Sequence, residues 1–372
     1  RTADAYAAAA AWLDNMAATE TMHDHMSEFF AEQVLLGLSS DLRLTRLALE
    51  AAADQGSSPD WERLAQLHRR LVWIFSADLS YFERKQYASL SQEPNKAMNL
   101  NSYISLMGGR YRIDSSTGEK ILERIGRHDD ADADADLVIP DSRYLLTLDA
   151  DSQLLRDYCV RLVYLLEQPE NERVAVTQTP YSSFRGAPTR IERIAGATTD
   201  LQHIQHQGLT YFNATFWVGA NAVIRKEALA DIAVSETVGG FEITTYVQDR
   251  TVIEDTESSI DLGLHGWTLE NYPERLSYSA TPPDFGSLIV QRRRWANGGL
   301  LIMPKFFEMV RARRGTPARA RSAEKMLRTN YMSSLSWASF GLLFLLFFPF
   351  DSRLLSPLVI AAALPYFLSI GF

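Results

Sequence analysis

Arg143-Tyr144-Leu145-Leu146-Thr147-Leu148-Asp149-Ala150-Asp151-Ser152 is an apolar run of strand length that stops abruptly in two carboxylates. The pattern after it predicts a helix over Leu154 to Glu167 and a second strand over Arg173 to Gln178. Strand, helix, strand implies a parallel unit, and in open α/β sheets ligands gather at the carboxyl ends of such strands. Working downstream, Phe216 to Ile224 reads as another strand, Lys226 to Ile232 as a helix and Gly239-Gly240 as a turn. A helix carrying Ile260 to Leu264 closes at Gly266. Working upstream, Asn95 to Met107 reads as a helix and Leu71 to Phe75 as a short strand. Residues 1 to 70, rich in Ala, Leu, Glu and Met, read as a helical segment. The fold class is therefore α/β with a helical N-terminal segment.

The 372 residues are 46% hydrophobic and 22% charged, with a net charge of -9. That balance excludes a disordered chain and a general nucleic-acid binder, which needs excess Lys and Arg to neutralise phosphates. The single cysteine, Cys159, excludes a disulfide framework and a cysteine-built zinc site, and fits a reducing compartment. His23-Asp24-His25 reads as a solvated helical turn, and the Asp/Ala alternation from Asp129 to Asp136 as a solvated loop.

Charge is unevenly spread. Arg292 to Arg328 holds eleven basic residues against Glu308 and Glu324. Residues 331 to 350 then carry no charge, and neither do residues 354 to 372. Runs of this length match a bilayer core, so the pattern predicts a basic interfacial helix over 301–330 and two transmembrane helices, with the acidic part on the cytoplasmic face. The chain reads as a piece of something longer.

Three clusters carry chemistry. Asp149 and Asp151 lie at i and i+2, and in an extended chain such side chains point the same way. Like charges so placed favour a cation between them, and magnesium is held by one or two carboxylates plus substrate phosphates. Glu254-Asp255 is a second acidic pair; Asp255 is also well placed to cap a helix from Ser258 to Leu264, and the sequence leaves both readings open. Gln291, Arg294 and Trp295 share one face of a helix by their spacing. A guanidinium grips a diphosphate and an indole stacks on a sugar ring, whereas a basic helix with a Trp anchor at lipid headgroups explains the same residues.

In this order, Asp149-x-Asp151, Glu254-Asp255, Gln291-x-x-Arg294-Trp295 and then apolar spans, the chain resembles the processive family 2 membrane glycosyltransferases, the group that contains bacterial cellulose synthase. Asn95-Lys96-Ala97-Met98-Asn99-Leu100-Asn101, Gln178-Thr179-Pro180-Tyr181 and Phe216-Trp217-Val218-Gly219-Ala220-Asn221 resemble further segments of that family. The resemblance covers about residues 70 to 372; the family's first nucleotide-binding strand is not visible upstream.

The resemblance implies a glycosyltransferase-A-type domain with a Rossmann-like mixed sheet over residues 71–300. It implies magnesium or manganese on Asp149 and Asp151, and Asp255 as the general base. Lys96, Asp78 and Arg294 are implied on the donor side, and Trp295, Gln291, Trp217 and Glu254 on the acceptor side. The implied reaction is inverting transfer from a nucleotide sugar, UDP-glucose first, to a growing β-glycan at the inner membrane, with room for accessory subunits. The rival readings are a metal-dependent phosphohydrolase and a non-catalytic nucleotide-binding membrane module.

Overall fold

The computed structural model describes residues 1–347, apart from 58, 59, 117, 131–133, 220, 250, 252 and 316–319. Four helices open the chain: α1 (Thr2–Thr19), α2 (His25–Phe29), α3 (Gly37–Asp54) and α4 (Trp61–Phe75). A wider π-helical stretch, Phe30–Leu36, joins α2 to α3. Asp24 accepts hydrogen bonds from the Met26 and Ser27 N–H groups and so caps α2, while Asp60 caps α4. Tyr6, Leu13, Leu35, Leu42 and Leu67 form the bundle's core. The run Leu71–Phe75, expected as a strand, is instead the last turn of α4. Leu67, Leu71 and Ile74 recur at helical spacing and face the bundle core, and that periodicity outweighs the strand propensity of a short apolar run.

The remainder is a mixed α/β domain. Helix α5 (Lys96–Leu106) begins at Asn95, whose side chain accepts from the Met98 N–H. An antiparallel sheet in the order β2-β1-β3 follows, from β1 (Gly109–Asp114), β2 (Ile121–Arg127) and β3 (Leu137–Ile139). Next come β4 (Tyr144–Thr147), β5 (Gln153–Leu154), α6 (Tyr158–Leu166), β6 (Val174–Gln178), β7 (Ser182–Ser183) and α7 (Arg190–Tyr211). They are followed by β8 (Ala222–Arg225), α8 (Lys226–Asp231) and a hairpin of β9 (Val234–Val238) and β10 (Phe241–Thr245). The chain continues through α9 (Glu254–Leu264), β11 (Thr268–Asn271), β12 (Ser277–Ser279), α10 (Phe285–Ala312) and α11 (Ser322–Phe347).

The central sheet has the order β11-β6-β8-β4. Strand β8 is antiparallel to both neighbours, so β4 and β6 run parallel with β8 inserted between them. Of the expected strand Phe216–Ile224, only the end is strand; Phe216 to Gly219 is buried irregular chain, turned by Gly219 at φ 75°. Register does the positioning. Thr147 and Gln178 both pair with Ala222, and Asn271 pairs with Gln178. The residues after β4, β6 and β11 and those before β8 therefore collect along one sheet edge. The helical bundle docks beside that edge, with Phe29 at 4.5 Å from Tyr278 and 5.2 Å from Phe184.

Helices α10 and α11 pack backbone to backbone. A Cβ at Gly299 would meet the Met332 carbonyl oxygen at 2.3 Å, and one at Gly298 the Ile253 side chain at 2.6 Å. Arg313 and Arg328 both pair with the buried Glu324, at 3.1 and 3.6 Å. The expected first span, 331–350, thus starts on the mixed α/β domain: Tyr331 stacks on Phe216 at 5.1 Å and Met332 joins the core. Among the described residues no helix is long and apolar enough to cross a membrane. The first half of α11 carries Glu324, Lys325 and Arg328. Residues 348–350 and the second expected span, 354–372, lie outside the described residues.

Candidate active site

The sheet edge is organised by Gln178. Its side-chain amide donates to the Phe216 carbonyl at 2.8 Å and to Asn271 Oδ1 at 2.7 Å, and its Oε1 accepts from the Val218 N–H at 3.0 Å. Both ends of one buried amide thus fix the chain just before Gly219. Ser259 adds a second tie, since its Oγ accepts from the Trp217 N–H at 2.9 Å and donates to the Asp255 carbonyl at 2.9 Å. Loop 216–219 and the first turn of α9 are therefore one unit.

Asp255 lies inside that first turn; α9 starts at Glu254, so the alternative reading of Asp255 as cap of a helix from Ser258 does not hold. Its Oδ1 accepts from the Thr256 N–H. Its other oxygen lies where a side chain at residue 219 would be: a Cβ there would come within 2.0 Å of Asp255 Oδ2. Glycine supplies both the space and the left-handed backbone. Burial, and then the neighbouring Glu254 charge, push the Asp255 carboxyl up to about 7, against the lowering effects of the Thr256 N–H and Lys96. A carboxyl so raised is suited to take a proton near neutral pH.

Lys96, in the first turn of α5, ion-pairs with Asp149 and lies 3.4 Å from the Gly219 carbonyl oxygen. It joins the β4 end to the Gly219–Asp255 unit. Asp149 and Asp151 belong to a turn closed by the Ser152 N–H on the Asp149 carbonyl at 3.0 Å, not to the extended chain that their spacing suggested. Both carboxylates still act on one neighbour: burial and then Asp151 and Asp149 push the Tyr181 hydroxyl up, and that hydroxyl donates to the Ala280 carbonyl at 2.9 Å. Among the described residues no third Asp, Glu, His or Cys joins them. Two carboxylates suit a magnesium-like ion that takes its remaining oxygens from substrate phosphates and water.

On α10, Gln291 and Trp295 are half-buried, and Trp295 packs with Ile253 and Phe216 beside the α9 turn. Arg294, expected on their face, is exposed. The inward arginine is Arg292, whose Nη2 donates to Thr198 on α7 at 2.6 Å and whose guanidinium lies 4.6 Å from the Trp295 ring centre. Trp217, expected to line an acceptor path, is 1% exposed and packs in the core with Val176, Ile224 and Leu269. Asp78 sits exposed in the irregular chain after α4, and the described structure does not bring it into this cluster. Glu254 stands beside Asp255 in the first turn of α9.

Sequence reasoning assigned no role to Gly219, Tyr181 or Arg292. Gly219 and Tyr181 stood inside quoted segments; Arg292 was signalled by the stripe Leu288, Arg292, Trp295, Gly299, Ile302, Phe306, Met309, which alternates steps of four and three. A cavity of about 1120 Å³ opens where α5, the β9–β10 hairpin, α9 and α10 meet, lined by Ser91, Met98, Gln248, Asp249, Asp261 and Lys305. None of Asp149, Asp151, Asp255 or Trp295 lines it, so the chemistry is assigned by the side-chain cluster and not by this cavity.

The family model for glycosyl transferase family group 2 matches residues 144–370. The chain belongs to that family. A UDP-forming cellulose synthase catalytic subunit from Dictyostelium discoideum is 27% identical over 44% of this chain and 14% of its own length. The UDP-forming cellulose synthase catalytic subunit from Pseudomonas fluorescens is 28% identical over 44% of this chain and 21% of its own. The chain thus spans 14% and 21% of the length of those two relatives.

Proposed function

We propose that this domain transfers a sugar from a nucleoside diphosphate donor to a hydroxyl of a growing β-glycan, with inversion. The observation that carries the reading is the contiguous row Asp149, Lys96, Gly219, Asp255, in which a proton acceptor tuned to about 7 stands next to a cationic bridge to the β4 carboxylates. The acceptor hydroxyl gives its proton to the Asp255 carboxylate. The acceptor oxygen bonds to the anomeric carbon as the bond to the diphosphate oxygen breaks, and the departing diphosphate keeps that electron pair. One displacement with no enzyme nucleophile inverts the anomeric centre, so an α-linked donor gives a β-linked product. Lys96 adds positive charge where the diphosphate departs. Asp149 and Asp151 would hold magnesium or manganese, which supplies Lewis acidity toward the diphosphate when bound. Trp295 would stack on the terminal sugar of the acceptor, with Gln291 and Glu254 near it.

The relatives' printed names, cellulose synthases that form UDP, support UDP-glucose as the first donor to test. Exposed Trp337, Phe340 and Leu343 on α11 and the basic stretch ahead of them support attachment to the inner membrane with the catalytic domain cytoplasmic. The test is donor-dependent incorporation of label from a panel of radiolabelled nucleotide sugars into polymer. Label in polymer, with loss of turnover on chelation, supports the reading. Free sugar or phosphate without polymer points to a hydrolase instead, and binding without turnover to a sensor.

A further inference from the structure

We propose that Arg292 is a positioning residue that holds the Trp295 indole for the glycan acceptor, anchored from across the helix pair by Thr198. The inference rests on reading Trp295 as the acceptor platform. Three observations meet at Arg292. Its guanidinium lies over the Trp295 ring at 4.6 Å. Its Nη2 donates to Thr198 Oγ1 at 2.6 Å, which pins the fork to α7. It occupies the inward stripe of α10 that continues through Gly299, Ile302 and Phe306, whereas Arg293 and Arg294 are exposed.

A planar guanidinium stacks on an aromatic face more firmly once one of its donors is fixed, since less freedom is lost on stacking. Thr198 supplies that fixed point. Trp295 is only half-buried, so packing on one side alone leaves the ring free to tilt, and Arg292 closes the other restraint. Tyr181, on which Asp149 and Asp151 act, also acts electrostatically on Arg292, so the pinned side chain and the carboxylate end of β4 share a neighbour. The acceptor's last sugar must reach both places at once. Arg292 therefore sets the angle at which that sugar is presented, without touching the reacting atoms.

The test compares the full chain with Arg292→Leu, Arg292→Lys and Thr198→Val. Acrylamide quenching of Trp295, taken as the difference from Trp295→Phe, reports the ring directly. It should rise about twofold in Arg292→Leu and less in Thr198→Val. In polymer assays the acceptor KM should rise about 3–30-fold in Arg292→Leu, the range of a stacked cation on an indole, with donor KM unchanged. Arg292→Lys should recover little, because an ammonium keeps the charge and loses the flat fork. Unchanged quenching in both Arg292→Leu and Thr198→Val overturns the inference, and so does a rise in donor KM with acceptor KM unmoved. Should the unsubstituted chain make no polymer at all, the proposed transfer falls while the quenching result still decides the role of Arg292.

Discussion

The helical bundle and the sheet edge bury their residues for opposite reasons. In the bundle the buried set is almost wholly apolar, from Tyr6 and Leu13 to Leu42 and Leu67. At the sheet edge, polar side chains are just as inaccessible: Gln178 is 2% exposed, Asn271 5%, and Ser258 and Ser259 are fully buried. Each of these is hydrogen-bonded to a loop or helix end that carries Asp255 or Gly219, or to a residue that does. The bundle gains stability from every buried atom. The edge uses burial to hold a carboxyl away from water, where its ionised form is disfavoured. The two regions should therefore answer mutation in opposite ways.

The largest expected effect is at Asp255. Asp255→Asn keeps an acceptor for the Thr256 N–H but no base, and transfer should drop about 10²–10⁴-fold with donor binding retained. The same change should raise stability above pH 7. A carboxyl whose folded value lies above its unfolded value favours folding least once pH exceeds both, so removing it recovers on the order of 1–4 kcal/mol there and nothing near pH 3. Denaturant melts at the two pH values check the sign. Leu42→Ala in the bundle should do the reverse, costing about 2–5 kcal/mol of stability while turnover per folded molecule stays put.

Gly219→Ala is a finer probe of the edge. A methyl group within 2.0 Å of Asp255 Oδ2 displaces the carboxylate, and a misplacement of that kind can cost about 10²-fold in rate. Donor titration of the same variant should find affinity nearly unchanged. The smallest effect sharpens the same comparison: turnover should fall on the acid side, about tenfold per pH unit below 7, as the Asp255 carboxylate is lost. An acid limb centred near 4 would show that the edge does not desolvate its carboxyl after all.

How much of this was legible in the sequence depended on whether the cause was local. Asp149-x-Asp151 announced itself because an apolar strand broke off there, although the geometry that joins the two carboxylates is a turn. Gln291 and Trp295 were placed correctly on one helical face, but the phase of that face was not. It is marked by the close approach of Gly299, on the Arg292 face, to Met332, a contact that spacing within α10 cannot reveal; Arg292 is inward and Arg294 out. Trp217, implied on the acceptor side, is a core residue, because its neighbours Val176, Ile224 and Leu269 come from strands that only the fold brings around it. The bridge from Lys96 to Asp149 and Gly219 spans 53 and 123 residues and has no local signature at all.

The charged joint between α10 and α11 has a mechanical consequence. Arg328 is 1% exposed, burial pushes it down to about 10, and it is held by Glu324, the Asn213 carbonyl at 3.2 Å and the Phe216 ring. Parting such a cluster would strand a charge in a dry interior, so separating the start of α11 from the domain is costly. A displacement of the start of α11 therefore bears directly on Phe216, the first residue of the loop that cradles the Asp255 carboxyl.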